Sequence, residues 1–323
     1  MTTLIAAERL GRRFASPGWV RRGRPLQAVT DVSLTVDRGE AVGLVGESGS
    51  GKSTIGRLLL GLLAPSAGRV LVEASDLARA RGTALKRLRR RMQMVFQDPY
   101  SSLDPRRRIG DQIADGLAIH RLAPASQRPA RVAALLTQVG LEPQHASRYP
   151  HEFSGGQRQR IGIARALSTG PEFLVADEPV SSLDVSVQAT VLQVLAELRS
   201  RLGLGLLFIS HDLPVVRSLC DRVIVLYLGR IMETGPAAQV LSRPRHPYTR
   251  ALLSAAPSFD PVRRRARILL QGEQPSPADP PSGCVFRTRC PWVIAACADA
   301  VPPLRGSAAH QAACIRDDID VAG

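Results

Sequence analysis

Residues 46–53, GESGSGKS, fit the pattern G-x-x-x-x-G-K-[ST] of a loop that binds phosphate. The glycines let backbone N–H groups close around phosphate oxygens, Lys52 brings positive charge to the β- and γ-phosphates, and Ser53 offers a hydroxyl to Mg²⁺. An apolar run precedes the loop and a helical pattern follows it, so a helix N-terminus adds its dipole. The sequence therefore predicts a nucleotide-binding site that includes Gly46, Glu47, Ser48, Gly49, Ser50, Gly51, Lys52, Ser53 and Thr54.

A second group of candidate residues lies in FLVADEP, at 173–179, where an apolar run predicts a buried strand. This strand would deliver Asp177 to the magnesium shell and place Glu178 next to it. Phosphoryl transfer to water needs a group that accepts the proton of the nucleophile, so Glu178 is the candidate base. The alternative is that both carboxylates cap the next turn. His211 follows another apolar run, in FISHD, and is a candidate contact for the γ-phosphate, although a lone histidine at a strand end often has no such role.

The segment FSGGQRQRIGIARAL, at 153–167, places a serine and two glycines at the start of a predicted helix. Ser154 is a good N-cap, and Gly155 and Gly156 permit close approach of another group to the helix end. No strand leads into this turn, so we do not expect it to share a sheet edge with the phosphate loop. The simplest geometry has it covering a nucleotide held by another subunit, with SSLD (181–184) beside it at the same seam.

The elements around these motifs alternate between strands and helices, which indicates an α/β fold with a parallel sheet whose functional groups collect at the carboxyl ends of the strands. RVIVLYLGRIMETG, at 222–235, predicts a hairpin that turns at Gly229. Residues 98–170 break the alternation and predict an inserted helical subdomain. From about 236 onward Pro and Arg become frequent. The predicted buried strands lie at 40–46, 91–96, 172–177 and 205–210.

The formal charge of +15 comes almost entirely from arginine and raises the question of nucleic-acid binding. An aromatic content of 4% leaves few rings on which bases could stack, so we favour a basic surface that is solvated or faces phosphate or an anionic membrane. The apolar stretches are too short to cross a bilayer, and the N-terminus lacks the pattern of a signal peptide. These features predict a cytoplasmic protein.

Four of the five cysteines lie near the end of the chain, at 284, 290, 297 and 314. Disulfides are disfavoured in a reducing cytoplasm, and the C-x₂₋₄-C pairs that are usual at structural zinc sites are missing. Four thiolates suit an iron–sulfur cluster. Zinc and cysteines that only pack remain as alternatives, and Cys220 is expected to be a buried apolar residue.

Taken in order, GESGSGKST, FQD, FSGGQRQR, FLVADEP, SSLD and SHD resemble the nucleotide-binding subunit of an ABC transporter, over roughly residues 4–260. The resemblance implies a RecA-like P-loop ATPase core with the helical subdomain at about 98–170 and an antiparallel β subdomain. It implies that Gln97 joins Ser53 and Asp177 around Mg²⁺ and links the attacking water to the membrane partner.

The resemblance also implies contacts with the nucleotide. An aromatic residue near the N-terminus would stack on adenine; Phe14 is the first candidate and Trp19 the second. The neighbouring subunit's ATP would be contacted by Ser154, Gly155, Gly156, Gln157 and Asp184. The family usually begins its signature with Leu, where this chain has Phe153.

Three further stretches resemble the ATPases of oligopeptide and dipeptide importers, and among them the second of the usual two ATPase subunits. They are FQDPYSSLDPRRRIGDQI, RHPYTRALLSAAP and GEQPSPADPPSGC. Nickel, opine and glutathione importers share much of this pattern. The resemblance divides the chain into an ATPase domain at 1–260 and an extension at 261–323. It also implies a 4Fe–4S cluster held by Cys284, Cys290, Cys297 and Cys314, since some importer ATPases carry one on similar cysteines.

The function implied is ATP hydrolysis that powers import of di- or oligopeptides. The implied partners are a second ATPase subunit, two membrane-spanning permeases that dock near Gln97 and residues 98–110, and an extracytoplasmic peptide-binding protein, but no nucleic acid. The chain would then lie on the cytoplasmic face of the inner membrane. The alternatives are a non-transport ABC ATPase of DNA repair or translation, and a regulatory subunit that binds ATP without turnover.

Overall fold

The computed structural model describes residues 2–15, 24–255, 268–307, 309–316 and 318–319. Its strands are β1 Thr3–Phe14, β2 Leu26–Asp37, β3 Ala41–Val45, β4 Ala67–Val72, β5 Ser75–Asp76, β6 Met92–Val95, β7 Phe173–Asp177, β8 Gly205–Ile209, β9 Arg222–Tyr227, β10 Arg230–Pro236, β11 Arg305–Gly306 and β12 Gln311–Ala312. Its helices are α1 Lys52–Leu59, α2 Gly82–Arg91, α3 Pro99–Ser102, α4 Ile109–Ile119, α5 Arg128–Gln138, α6 Gly155–Leu167, α7 Val185–Leu202, α8 Leu213–Leu219, α9 Ala237–Ser242 and α10 Pro247–Ala255. Across the described part of the chain, no helix is both long enough and apolar enough to cross a membrane.

The chain divides into two compact units. Unit 1 contains the described residues among Met1–Ile5, Thr35–Glu40 and Leu71–Ile209. Unit 2 contains those among Ala6–Leu34, Ala41–Val70 and Ser210–Gly323. The boundary that the sequence predicts near residue 260 falls within 256–267, outside the described residues.

Unit 1 is built around the parallel pairs β6–β7 and β7–β8, in which Ala176 is in register with Val95 on one side and Phe208 on the other. Every residue of β7 and β8 is buried, which explains why these strands read as continuous apolar runs rather than alternating ones. Val191, Leu195 and Leu198 form the buried stripe of α7 at helical spacing. The predicted strands in this unit are therefore confirmed.

The helical insertion in unit 1 is also confirmed. Between residues 98 and 170 the described chain forms α3 to α6 with short 3₁₀ turns and no strand. A 3₁₀ turn at Pro150–Glu152, not a strand, leads into α6, as the sequence predicts. The turn that begins α6 therefore lies among helices and 3₁₀ turns and not at the end of a strand.

Unit 2 contains the parallel pair β3–β9 and the hairpin β9–β10. The hairpin turns at Leu228 and Gly229, whose φ values of +44° and +73° match a two-residue turn with both central residues in the left-handed region. This confirms the predicted hairpin. Most of β2, β1 and β4 also lies in this unit, where these strands are neighbours in that order in a second sheet.

The C-terminal extension is attached to unit 2 by strand addition. β12 pairs antiparallel with β10, with Ala312 opposite Glu233, and β11 pairs with β12. The carboxylate of Glu233 is fully buried and accepts hydrogen bonds from the backbone N–H groups of Arg245 at 2.7 Å and His246 at 3.0 Å. Nε2 of His310, in the extension, lies 2.7 Å from the same carboxylate. Complete burial lowers the pKa of His246 to about 4, so this histidine is neutral at physiological pH.

Candidate functional site

The phosphate loop lies in unit 2, between β3 and α1, as the sequence predicts. Gly46 and Gly51 have φ values of +154° and +101°, and each faces a backbone carbonyl of a distant element. A Cβ atom on Gly46 would lie 2.1 Å from the Leu226 oxygen, and one on Gly51 would lie 2.4 Å from the Ala28 oxygen. At both positions a larger residue would be strained by the backbone conformation and would also clash with a carbonyl oxygen, so both require glycine.

Lys52 is held inside this loop. Its side chain is only 5% exposed, and Nζ donates to the carbonyl oxygens of Gly46 at 2.8 Å and Glu47 at 2.9 Å. Ser50 is fully buried, and its N–H donates to the Glu47 carbonyl at 3.2 Å. The ammonium group is thus fixed by the loop's own backbone at the start of α1.

Glu47 is contacted by two residues that the sequence did not point to as part of the site. Its N–H donates to the Tyr248 hydroxyl at 2.8 Å, and its Oε2 accepts from Nη1 of Arg289 at 2.7 Å. Tyr248 is fully buried, and burial raises the pKa of its hydroxyl. Both residues lie more than 200 positions from Glu47. The only sequence signal was that Tyr248 stands in RHPYTR, one of the stretches that carry the importer resemblance.

The two predicted carboxylates lie in unit 1, at the carboxyl end of β7. Asp177 ends the strand and is 4% exposed. Glu178 follows with φ of +44°, a left-handed conformation that is strained for this residue, and its N–H donates to the Ile209 carbonyl at 2.9 Å. Nε2 of Gln97 donates to Oε2 of Glu178 at 3.0 Å. The structure thus joins two residues that the sequence predicted to act together, although they lie 81 positions apart.

The turn at the start of α6 is closed by a reciprocal capping box, which confirms Ser154 as the N-cap. Its Oγ accepts from the Gln157 N–H at 3.3 Å, while Oε1 of Gln157 accepts from the Ser154 N–H at 2.9 Å. A Cβ atom on Gly156 would lie 2.1 Å from a methyl carbon of Val187 in α7. The sequence predicts open space for an approaching ligand at Gly156, but Val187 of this chain fills that space. Asp184 occupies the N-cap position of α7 without a side-chain cap bond.

The signature helix α6 is fastened to the segment that follows Gln97. Nε2 of Gln159 donates to the Phe96 carbonyl at 3.3 Å. The Arg158 guanidinium stacks over the Tyr100 ring at 3.9 Å, and Nη1 of Arg165 donates to the Ser102 carbonyl. These contacts tie residues 96–102 to α6.

Three further residues were predicted from the sequence to contact ATP, one at the γ-phosphate and two at the adenine. His211 is exposed and follows β8 after one residue. Phe14 is the last residue of β1 and is half-buried, with the Arg12 guanidinium 4.6 Å from its ring centroid. Trp19, the second candidate for the adenine contact, lies outside the described residues.

The four cysteines of the extension are all thiols. The N–H of Cys284 donates to the Cys297 carbonyl at 2.8 Å. Burial, with a smaller contribution from the charges of the other three sulfurs, raises the pKa of Cys290 to about 11, as expected for thiols that lie near one another. Among the described residues, no three His, Cys, Asp or Glu side chains form a group that could hold a metal ion. Cys220 is buried, as predicted.

Comparisons with protein families agree with this arrangement. Residues 29–181 match the family model of the ABC transporter. Residues 232–297 match that of the oligopeptide/dipeptide transporter C-terminal region. The second match covers the residues that carry Tyr248 and Arg289, the two contacts of Glu47.

Similar proteins extend the match to nearly the whole chain. A putative peptide import ATP-binding protein of Brucella ovis is 54% identical over 319 residues, 98% of this chain and 99% of its own. The di/tripeptide transport ATP-binding protein DppF of Pseudomonas aeruginosa is 45% identical, over 97% of this chain and 98% of its own.

Two solved structures share the fold at 27% identity. CbiO1 of Clostridium perfringens, part of an ABC transporter complex, has a TM-score of 0.65 over 75% of this chain and 92% of its own. The ATP-binding cassette MJ0796, a dimer bound to ADP and phosphate after hydrolysis, has a TM-score of 0.64 over 72% of this chain and 99% of its own. The chain therefore belongs to the ATPases of ABC transporters, in the oligopeptide and dipeptide transporter family.

Proposed function

We propose that this chain hydrolyses ATP jointly with a second ATPase subunit and thereby powers the import of di- and oligopeptides. The observation that carries the catalytic part is the Gln97–Glu178 hydrogen bond at the end of β7. The peptide cargo is supported by relatives of nearly full length that are named for peptide import. Nickel, opine or glutathione remains the alternative cargo.

Glu178 is the general base of this proposal. It would accept the proton of the attacking water, while the amide of Gln97 holds the carboxylate in place. The left-handed conformation of Glu178 turns the chain sharply after the buried strand, which limits the positions that the carboxylate can take. His211 would contact the γ-phosphate.

The phosphate loop would bind the triphosphate through its backbone and Lys52, whose ammonium group already lies within the loop. Phe14 would stack on the adenine. Mg²⁺, when bound, neutralises phosphate charge during the transfer. Its proposed ligands, Ser53, Gln97 and Asp177, offer only oxygen atoms, which suits a hard cation that also keeps phosphate and water ligands.

The pocket would be completed by a neighbouring subunit. Ser154, Gly155, Gly156, Gln157 and Asp184 of one subunit would cover the ATP held by the other. Support comes from the capping box, which presents a formed helix N-terminus, and from the dimer described for the ATP-binding cassette MJ0796.

The permeases would dock near Gln97 and residues 98–110. Tyr100 is 65% exposed and Phe96 41% exposed, so this segment presents apolar surface. Its bonds to α6 would carry permease movement to the signature turn. An extracytoplasmic binding protein would deliver the peptide. The chain itself would then lie at the cytoplasmic face of the inner membrane.

Replacement of the proposed base tests the catalytic part. Glu178→Gln should keep ATP binding, slow hydrolysis by about 10²-fold or more, and trap the ATP-bound dimer, because the amide cannot accept the proton. Glu197→Gln, on the exposed face of α7, is the matched control and should hydrolyse ATP normally. Turnover at the wild-type rate in Glu178→Gln would remove Glu178 from the role of base.

The cargo is tested by uptake in a strain that lacks this gene. The wild-type chain should restore uptake of a labelled dipeptide, and Glu178→Gln should not. Restoration of nickel or glutathione uptake without dipeptide uptake would replace the peptide assignment with one of those cargoes.

We also propose that Cys284, Cys290, Cys297 and Cys314 hold an iron–sulfur cluster. The mutual electrostatic influence of the four thiols supports this. Each thiolate of such a cluster binds a different iron atom, so its sulfurs are farther apart than those around a single ion. The lack of a single-ion group among the described residues therefore weighs more against zinc than against a cluster. The cluster would serve stability or sensing, since these cysteines are remote in sequence from the ATP motifs.

Anaerobic purification tests the cluster. We expect a brown protein with iron and sulfide in near-equal amounts, and loss of colour in Cys290→Ser. Cys220→Ser is the matched control and should keep the colour. A colourless preparation that contains zinc would refute the cluster.

A further inference from the structure

Arg289 joins the C-terminal extension to the phosphate loop. Its Nη1 lies 2.7 Å from Oε2 of Glu47 and 3.5 Å from the Tyr227 hydroxyl. Its side chain is 11% exposed and that of Glu47 is 27% exposed, so water screens this pair less than an ordinary surface pair. Every residue in these contacts belongs to unit 2. The extension thus contacts Glu47, the residue that follows the first glycine of the phosphate loop.

The position of Arg289 is fixed by an aromatic cluster. Tyr227, Tyr248 and Phe286 are fully buried, with ring centroids 4.7 Å apart for the two tyrosines and 5.3 Å for each tyrosine with Phe286. The N–H of Arg289 donates to the Phe286 carbonyl at 3.0 Å, so a tight turn connects the cluster to the guanidinium. Tyr248 also accepts from the Glu47 N–H. Backbone and side chain of Glu47 are therefore both held by the same rigid group.

The charge of Glu47 explains why such a contact matters. A carboxylate within a phosphate-binding loop repels the incoming triphosphate, and an unpaired one would be drawn toward Lys52 or solvent. A guanidinium in charge-assisted contact cancels that charge and fixes the carboxylate direction. Nε of Arg289 is itself buried without a hydrogen-bond partner among the described residues, so the contact with Glu47 is made although the guanidinium is not fully hydrogen-bonded.

We propose that Arg289 is a positioning residue for ATP binding: its salt bridge to Glu47 neutralises the loop carboxylate and holds the loop ready for the triphosphate. The proposal rests on the role assigned above to the phosphate loop. It gives the C-terminal extension a direct part in nucleotide binding.

Steady-state ATP hydrolysis by the assembled transporter, which contains the full-length chain and the second ATPase subunit, tests this proposal. Arg289→Ala should raise KM for ATP by about tenfold with little change in kcat, because the lost contact acts on binding and not on Glu178. Arg289→Lys should restore part of the affinity for ATP, since lysine keeps the positive charge but lacks the planar guanidinium group. Arg287→Ala is the matched control: Arg287 lies two positions away and binds the Ser282 carbonyl, so KM should stay unchanged.

A double-mutant cycle separates positioning from general stability. Glu47→Gln removes the charge that Arg289 neutralises, so Arg289→Ala should have no further effect on KM in that background. Equal effects of Arg289→Ala in both backgrounds, or an unchanged KM in Arg289→Ala alone, would overturn the proposal. If Arg289→Ala does not fold, Arg289→Lys takes its place in the cycle with Glu47→Gln, and the same comparison of KM for ATP tests the proposal. A normal KM in Arg289→Ala together with an inactive Glu178→Gln would reject the positioning role while leaving the proposed ATPase mechanism in place.

Discussion

The phosphate loop and the signature turn both place glycines before a helix, yet they are stabilised in different ways. The phosphate loop depends on distant parts of the chain: Ala28 and Leu226 crowd its glycines, and Arg289 holds Glu47. The signature turn closes itself, through the capping box between Ser154 and Gln157. One loop is therefore imposed by tertiary contacts and the other is largely encoded by its neighbours in sequence.

This difference has a physical cause. A cluster of left-handed residues, as at Gly46 and Gly51, gains little from local hydrogen bonds and must be held by surrounding structure. A helix N-terminus instead satisfies its open N–H groups with a side chain three residues away. Substitutions in the first loop should therefore act through the surrounding fold, and those in the second through the helix itself.

The largest effect is expected in the phosphate loop. Gly51→Ala combines a left-handed conformation with a Cβ only 2.4 Å from the Ala28 carbonyl, a backbone atom that cannot rotate away. We expect ATP binding to weaken by about 10³-fold or more, which corresponds to about 4 kcal/mol of lost binding free energy. Gly49→Ala is the comparison, because Gly49 has φ of +77° but a Cβ atom there would have no neighbour within 4 Å. In the same ATP-binding measurement it should show the conformational cost alone, a loss of about 1–2 kcal/mol. Equal losses in the two variants would show that the surrounding fold does not hold this loop.

An intermediate effect is expected at Gly156, where the obstacle is a side chain. Gly156→Ala should destabilise the chain by about 1–3 kcal/mol through overpacking against Val187. Val187→Ala in the same chain should relieve most of this. Gly162 lies in the same helix, but a Cβ atom there would have no neighbour within 4 Å. Gly162→Ala should therefore leave the free energy of unfolding unchanged or raise it by about 0.5–1 kcal/mol. Failure of Val187→Ala to rescue Gly156→Ala would contradict the packing explanation.

The smallest effect is expected from the cap. Ser154→Ala removes one half of the capping box and should cost about 1 kcal/mol of unfolding free energy, measured by urea denaturation. Asp184→Ala should cost less, because Asp184 occupies an N-cap without a side-chain cap bond. An unchanged free energy of unfolding in Ser154→Ala would show that the signature turn is not closed mainly by its own cap.

Local patterns predicted much of the molecule. The buried strands, the hairpin at Gly229 and the helical insertion follow from apolar periodicity and glycine placement, and all are present. Ser154 was predicted as an N-cap because cap chemistry acts over three residues. The same reasoning read Gly156 only as an opening for a ligand, since nothing in the pattern shows that Val187 of the next helix packs there.

By itself the sequence determined which groups can do chemistry, since phosphate loops, capping boxes and carboxylates at strand ends are short patterns with a direct physical meaning. Only the tertiary structure decided that Gln97 holds Glu178 and that Tyr248 and Arg289 reach Glu47. Those contacts join residues 81 to 242 positions apart. Hydrogen bonds and ion pairs form between whichever groups the packed core brings within about 3 Å, and sequence spacing carries no record of that distance.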